Sequence, residues 1–199
     1  MNYPPTIKNL IECFKKLPGI GEKTAERLSL FTLKLDNEVI ELFSKSLTDV
    51  KSKIKKCKIC NNLTENDKCD ICLDENRNSK IICIVQEAKN IIMMEKSNVY
   101  NGQYHVIENL ISPLDGVNPS DINISTLESR IKENGVEEII IVLKQSIEGE
   151  TTTLYITKIL EKTNVKITKI AQGIPHGADM DYIDYLTLEK AIEDRKEVS

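Results

Sequence analysis

CKICNNLTENDKCDIC, residues 57–72, holds four of the six cysteines in this 199-residue chain. They fall as Cys57-x2-Cys60-x8-Cys69-x2-Cys72. Each Cys-x2-Cys bends the backbone into a knuckle that aims two sulfurs at one point. Two knuckles joined by a short polar hairpin supply four thiolates, the closed tetrahedral set of a structural zinc site. A redox pair fits less well, because it needs one Cys-x2-Cys leading a helix. A disulfide clip fits less well too. The start, MNYPPTIKNL, carries no basic-then-apolar signal, and no apolar run approaches the ~20 residues of a membrane span. A cytoplasmic chain is expected, and there thiols stay reduced. Zinc would replace the core that a segment of roughly 25 residues is too short to build. Cys13 and Cys83 lie on apolar faces and are expected as buried hydrophobes.

Upstream of the cysteines the spacing is helical. TIKNLIECFKKL (6–17) places Ile7, Leu10, Ile11, Phe14 and Leu17 on one side. Pro18-Gly19 breaks the pattern. EKTAERLSLFTLKL (22–35) resumes it with Ala25, Leu28, Phe31 and Leu35, and DNEVIELFSKSLTDVKSKI (36–54) predicts a third helix capped by Asp36 or Asn37. Downstream, KIICIVQ (80–86), EEIIIVLK (137–144) and VKITKIA (165–171) are short apolar runs of the kind that buried parallel strands need. AKNIIMMEKS (88–97) and TTTLYITKILEKTN (151–164) predict helices between them. YHVIENLISPLDGVNPSDI (104–122) mixes a further strand with a Pro/Gly-rich loop. Strand alternating with helix predicts an α/β layer with a mainly parallel sheet, and with the helical head the whole is an α+β multidomain chain.

Composition is that of a globular protein, 40% hydrophobic and 29% charged, with a net charge of −4. The charge is uneven. Residues 1–60 hold 12 Lys and Arg against 7 Asp and Glu, and KSKIKKCK (51–58) is the densest basic run. Residues 81–199 hold 12 against 19. A basic head on an acidic body is compatible with a nucleic-acid partner despite the overall sign.

Two further stretches bear chemistry. In LPGIGEKTAERL (17–28), Gly19 and Gly21 let backbone approach a ligand closely, and the helix start offers free N–H groups to an anion. Lys23 and Arg27, four apart, share a helix face. The pattern serves equally a phosphate site or a tight helix–helix turn with solvated charges. Glu148-Gly149-Glu150 follows the strand EEIIIVLK, where α/β folds place ligands. The two carboxylates would hold Mg²⁺ or simply favour a helix N-terminus. His105 and His176 have no evident partner and are expected to be structural or exposed.

In this order, LPGIGEKTAERL, CKIC…CDIC, NGQYHVI, SPLDGVNPSDI, IEGETTTLYI and IAQGIPHGADMDYIDYLTLEKAIEDR resemble the RecR family of bacterial recombination mediators, over essentially the whole chain. The resemblance implies a helix-hairpin-helix DNA-binding module (1–52), a four-cysteine zinc finger (53–79), a Toprim-like α/β domain (80–172) and a C-terminal segment (173–199) that packs on or swaps between subunits. It implies a non-enzymatic clamp for recombinational DNA repair, self-associating as a dimer or a tetrameric ring. RecO and RecF are the implied partners in loading RecA at single-stranded gaps, with location in the cytoplasm or at the nucleoid. By position, Gly19 and Gly21 match the hairpin, and Lys23 and Arg27 the DNA-facing cations. Cys57, Cys60, Cys69 and Cys72 match the zinc ligands. Glu148 and Glu150 match the acidic Toprim pair, which looks like a partner-binding surface.

Three departures matter. Gln86 stands where catalytic Toprim enzymes have a proton-transferring glutamate, and Glu87 is expected to point to the opposite face of the strand. VLKQS (142–146) replaces the family's ATNPT, and PHGAD (175–179) replaces PVGGD. They weigh against the alternative class, a Mg²⁺-dependent nuclease, primase or topoisomerase.

Overall fold

The computed structural model describes residues 3–171, 173–195 and 197. The last part of the expected C-terminal segment, at 196, 198 and 199, lies outside the described residues. The chain divides into two compact units, one up to Ile54 and one from Lys55.

The first unit contains α1 (Pro5–Lys15), α2 (Glu22–Thr32) and α3 (Asn37–Lys53). Pro5 opens α1 at a position that has no N–H bond to lose. Helices α1 and α2 pack through Ile11, Ala25 and Ser29, the buried residues of the pair. Lys15 at the end of α1 reaches Glu22 at the start of α2 (2.6 Å), closing the hairpin with an exposed ion pair. Three helical expectations need correction. Cys13 is exposed, because two residues along a helix is about 200°, which turns it away from Ile11. Leu17 lies beyond α1 and is half exposed, and α2 stops at Thr32, leaving Leu35 in the following turn. Helix α3 buries nothing: Val39, Leu42, Phe43, Leu47 and Val50 are all exposed.

The second unit begins with the antiparallel ribbon β1 (Lys55–Lys56) and β2 (Leu63–Thr64), then the single turn α4 (Asp70–Leu73). A four-stranded sheet follows, in the order β4 (Gly102–Val106), β3 (Asn78–Val85), β5 (Glu138–Val142), β6 (Lys166–Lys169). Every pairing is parallel. Crossovers run through α5 (Ala88–Ser97), α6 (Ser125–Asn134) and α7 (Ile147–Leu160), and α8 (Tyr185–Glu193) is the last helix in order. Alternation along β3 builds both layers. Ile82 and Ile84 meet Leu127, Ile139, Ile141 and Ile156 on one face, while Cys83 and Val85 meet Ile91, Tyr104 and Val106 on the other. Cys83 is fully buried as expected, and burial pushes its thiol up to about 12. Strand order reverses between β3 and β5, so their C-terminal ends flank the crevice where such sheets take ligands.

Candidate metal centre and nucleic-acid interface

The four cysteines converge. Their sulfurs all lie within 4.8 Å of one another, with Cys57, Cys60 and Cys69 buried. Zn–S bonds of about 2.3 Å at tetrahedral angles put sulfurs about 3.8 Å apart. Cys60 and Cys69 Sγ stand at 3.5 Å. The Cys69 N–H donates to Cys57 Sγ (3.3 Å), the bond that a knuckle makes to a thiolate. Among the described residues this is the one group of three or more His, Cys, Asp or Glu close enough for a metal. Their contact pushes the Cys60 thiol up and holds Cys69 low. Four convergent thiols fit Zn²⁺, which supplies structural crosslinking here and leaves no open ligand position.

The knuckle is bolted to the sheet. Val106 N–H donates to Cys60 O (2.8 Å), and Asn61 Nδ2 donates to Val106 O (3.1 Å). Asn61 takes a left-handed backbone (φ 62°) to do so. On the hairpin, Lys55 and Lys58 both pair with Asp67 (3.0 and 2.7 Å), and Lys56 pairs with Glu108 (2.7 Å).

In the first unit, Gly19 turns the chain at φ +80°, a conformation open to glycine, and Gly21 caps α2 with extended backbone. Neither glycine has an atom within 4 Å of where a Cβ would stand, so the turn is open on that side. Lys23 and Arg27 are exposed. With Tyr3, Glu26, Leu30, Phe31 and Lys34 they line a groove of about 400 Å³. Lys34 and the two aromatics had no motif to announce them; only the helical spacing 23, 27, 30, 34 hinted at a shared face.

Glu148 and Glu150 sit in the first turn of α7 rather than on the strand end. Two residues apart on a helix, they do not face each other. Glu150 pairs with Lys169 of β6. Glu148 is held below the usual carboxylate range first by the Ser146 hydroxyl. Between them, Gly149 is buried so closely that a Cβ would stand 1.8 Å from the Lys144 carbonyl oxygen.

At the crevice itself, Gln86, Glu87, Lys89, Asn90, Val142, Leu143 and Lys144 line a cleft of about 350 Å³. Strand alternation does not orient Glu87 as expected, because β3 ends at Val85 and Glu87 caps α5. Its N–H donates to Asn90 Oδ1 (2.8 Å), and its carboxylate pairs with Lys89 (2.7 Å). His105 is wholly buried, its Nε2 donating to Asn123 O (2.5 Å), and His176 is exposed.

A glycine-turned helical pair with exposed cations, a four-thiol metal centre and a parallel sheet with a ligand crevice thus follow one another along the chain. Residues 7–51 match the family model described as RecR, helix-hairpin-helix, and 54–74 the RecR four-cysteine zinc finger domain. Residues 80–171 match the Toprim domain, and 173–196 the RecR C-terminal region. The chain is 45% identical to the recombination protein RecR of Staphylococcus haemolyticus (strain JCSC1435). It is 44% identical to those of Staphylococcus aureus strains JH9 and Newman. Each match covers 100% of both chains. The chain belongs to the RecR family of bacterial recombination proteins. No helix among its described residues is long and apolar enough to cross a membrane.

Proposed function

We propose that this chain is a non-enzymatic DNA clamp and recombination mediator of the cytoplasm and nucleoid, working with RecO and RecF to help load RecA at single-stranded gaps. Lys23 and Arg27 carry the DNA-binding part of this reading. They are exposed on one face of α2 just past the open Gly19–Gly21 turn. A phosphate there would meet backbone N–H groups and two cations, a contact blind to base sequence. Self-association fits the uncovered apolar face of α3 and the exposed Tyr182, Tyr185, Leu186 and Ile192 of the C-terminal segment. A ring also accounts for a net-negative chain staying on DNA, because topology retains what charge alone holds weakly. Residues 1–52 would grip DNA, 53–79 hold the zinc, 80–172 form the Toprim body and 173–199 join subunits. Glu148 and Glu150, on the rim of α7, suit a partner protein. Gln86 and the ion-paired Glu87 support a body without proton-transfer chemistry.

The test is retention on a gapped circular plasmid compared with the same DNA linearised, in Mg²⁺, scored for nicks on the same gel. Retention on the circle with loss from ends and intact strands is expected. Equal binding to both forms would remove the clamp, and new nicks would make the chain an enzyme. Replacing Lys23 and Arg27 together by Ala should lower the slope of log affinity against log salt by about 1.8, from about 0.9 per lost phosphate contact. An unchanged slope would move the DNA contact elsewhere.

A further inference from the structure

Arg130 is the anomaly of the second unit. It lies on α6 between the core residues Leu127 and Ile131 and is only 5% exposed. A guanidinium stays charged, and a buried charge is tolerated when an opposite charge compensates it. Its acceptors here are neutral. Nη1 donates to Tyr104 O (2.8 Å) and Nη2 to Gln103 Oε1 (2.7 Å), while Nε is buried without a partner. No carboxylate among the described residues pairs with it.

Its place on the sheet sets it beside the first knuckle. Tyr104 and Val106 both lie on β4, two residues and about 7 Å apart, with their backbone groups on the same side. Tyr104 offers its carbonyl to Arg130, and Val106 binds Cys60 and Asn61 of the first knuckle. Arg130 and the knuckle are therefore neighbours along the outer edge of the sheet. The ionisable groups near enough to favour its charge are the knuckle cysteines Cys72, Cys60 and Cys57, and Tyr100. Burial keeps Tyr100 a neutral phenol. The thiolates remain, and four of them around one Zn²⁺ make a net dianion. The lysines of the zinc hairpin face carboxylates of their own, Lys55 and Lys58 sharing Asp67 and Lys56 pairing with Glu108.

We propose that Arg130 is the buried counter-charge of the zinc–thiolate centre, a positioning residue that ties metal binding to the packing of α6 against β4. The link is reciprocal: the cation raises the affinity for zinc, and zinc stabilises the buried cation.

The test uses the full-length zinc-loaded protein and competition with a chromophoric chelator. Arg130→Gln keeps an N–H donor for Tyr104 and removes the charge. It should weaken zinc binding about 10- to 100-fold, as loss of a group that supports metal ligands does. Arg130→Lys keeps the charge and should stay near the parent. Parent-like affinity in Arg130→Gln, or an equal fall in Arg130→Lys, would overturn the counter-charge. Should Arg130→Gln not fold, hydrogen exchange on the unmutated protein decides. Chelation of zinc should deprotect α6 around 127–131 together with 57–72. Unchanged protection of α6 while 57–72 opens would overturn the proposal.

Discussion

Acid should destabilise this protein through His105. The imidazole is fully buried, and burial lowers its pKa from 6.5 to about 4. Its Nε2–H is committed to the Asn123 carbonyl and Nδ1 has no partner, so a second proton would place an unpaired charge in the core. Below pH 6.5 the unfolded chain takes that proton and the folded chain does not. The unfolded state then binds more protons, so stability falls as pH falls. The stabilisation is complete above about pH 6.5 and is lost progressively down to about pH 4, with a limit of about 3 kcal/mol. Between pH 7.5 and pH 5 the loss is about 2 kcal/mol. Urea unfolding of the zinc-loaded protein at these two pH values measures it. The comparison is His105→Gln, which keeps an N–H for Asn123 and does not titrate. Subtracting the variant's pH dependence removes contributions from the zinc thiolates, which are common to both proteins. If the two lose equal stability over this interval, His105 is not the acid-sensitive group and the burial argument fails.

Two core features make further predictions. Gly149→Ala should cost about 1–3 kcal/mol or more, because the new Cβ meets the Lys144 carbonyl at 1.8 Å and backbone must move; an unchanged urea midpoint would contradict this. Thr152 accepts the buried Ile111 N–H (2.8 Å) on its hydroxyl, so near-isosteric Thr152→Val should cost about 1–3 kcal/mol by leaving that donor unpaired. Chemical denaturation with unchanged m-value would locate the loss in the folded state, and a stability equal to the parent's would mean that water replaces the hydroxyl.

Much of the architecture is legible in local pattern. Two Cys-x2-Cys pairs need only short-range geometry to make a metal site, and KIICIVQ is apolar on both faces because β3 is covered on both. AKNIIMMEKS matches α5 residue for residue. The failures are long-range. Periodicity marks an apolar face but not whether anything covers it, which is why Leu17 and Val39, Leu42, Phe43, Leu47 and Val50 of α3 are exposed. Glu150 finds Lys169 across nineteen positions, a pairing set by the β5–α7–β6 crossover and invisible to spacing. Arg130 looks like any surface cation in STLESRIKEN; only the packed edge of β4 reveals it as buried.

The sheet has two margins, and they are guarded by different means. On the β6 side, Lys166 and Lys169 stand on the outermost strand, and charge discourages another strand from adding there. On the β4 side the guard is the first knuckle, held across Val106 by a metal-dependent fold. Release of that knuckle would free the Val106 N–H and carbonyl on the outer edge, so this margin's protection is tied to the four cysteines rather than to a charge on the strand itself.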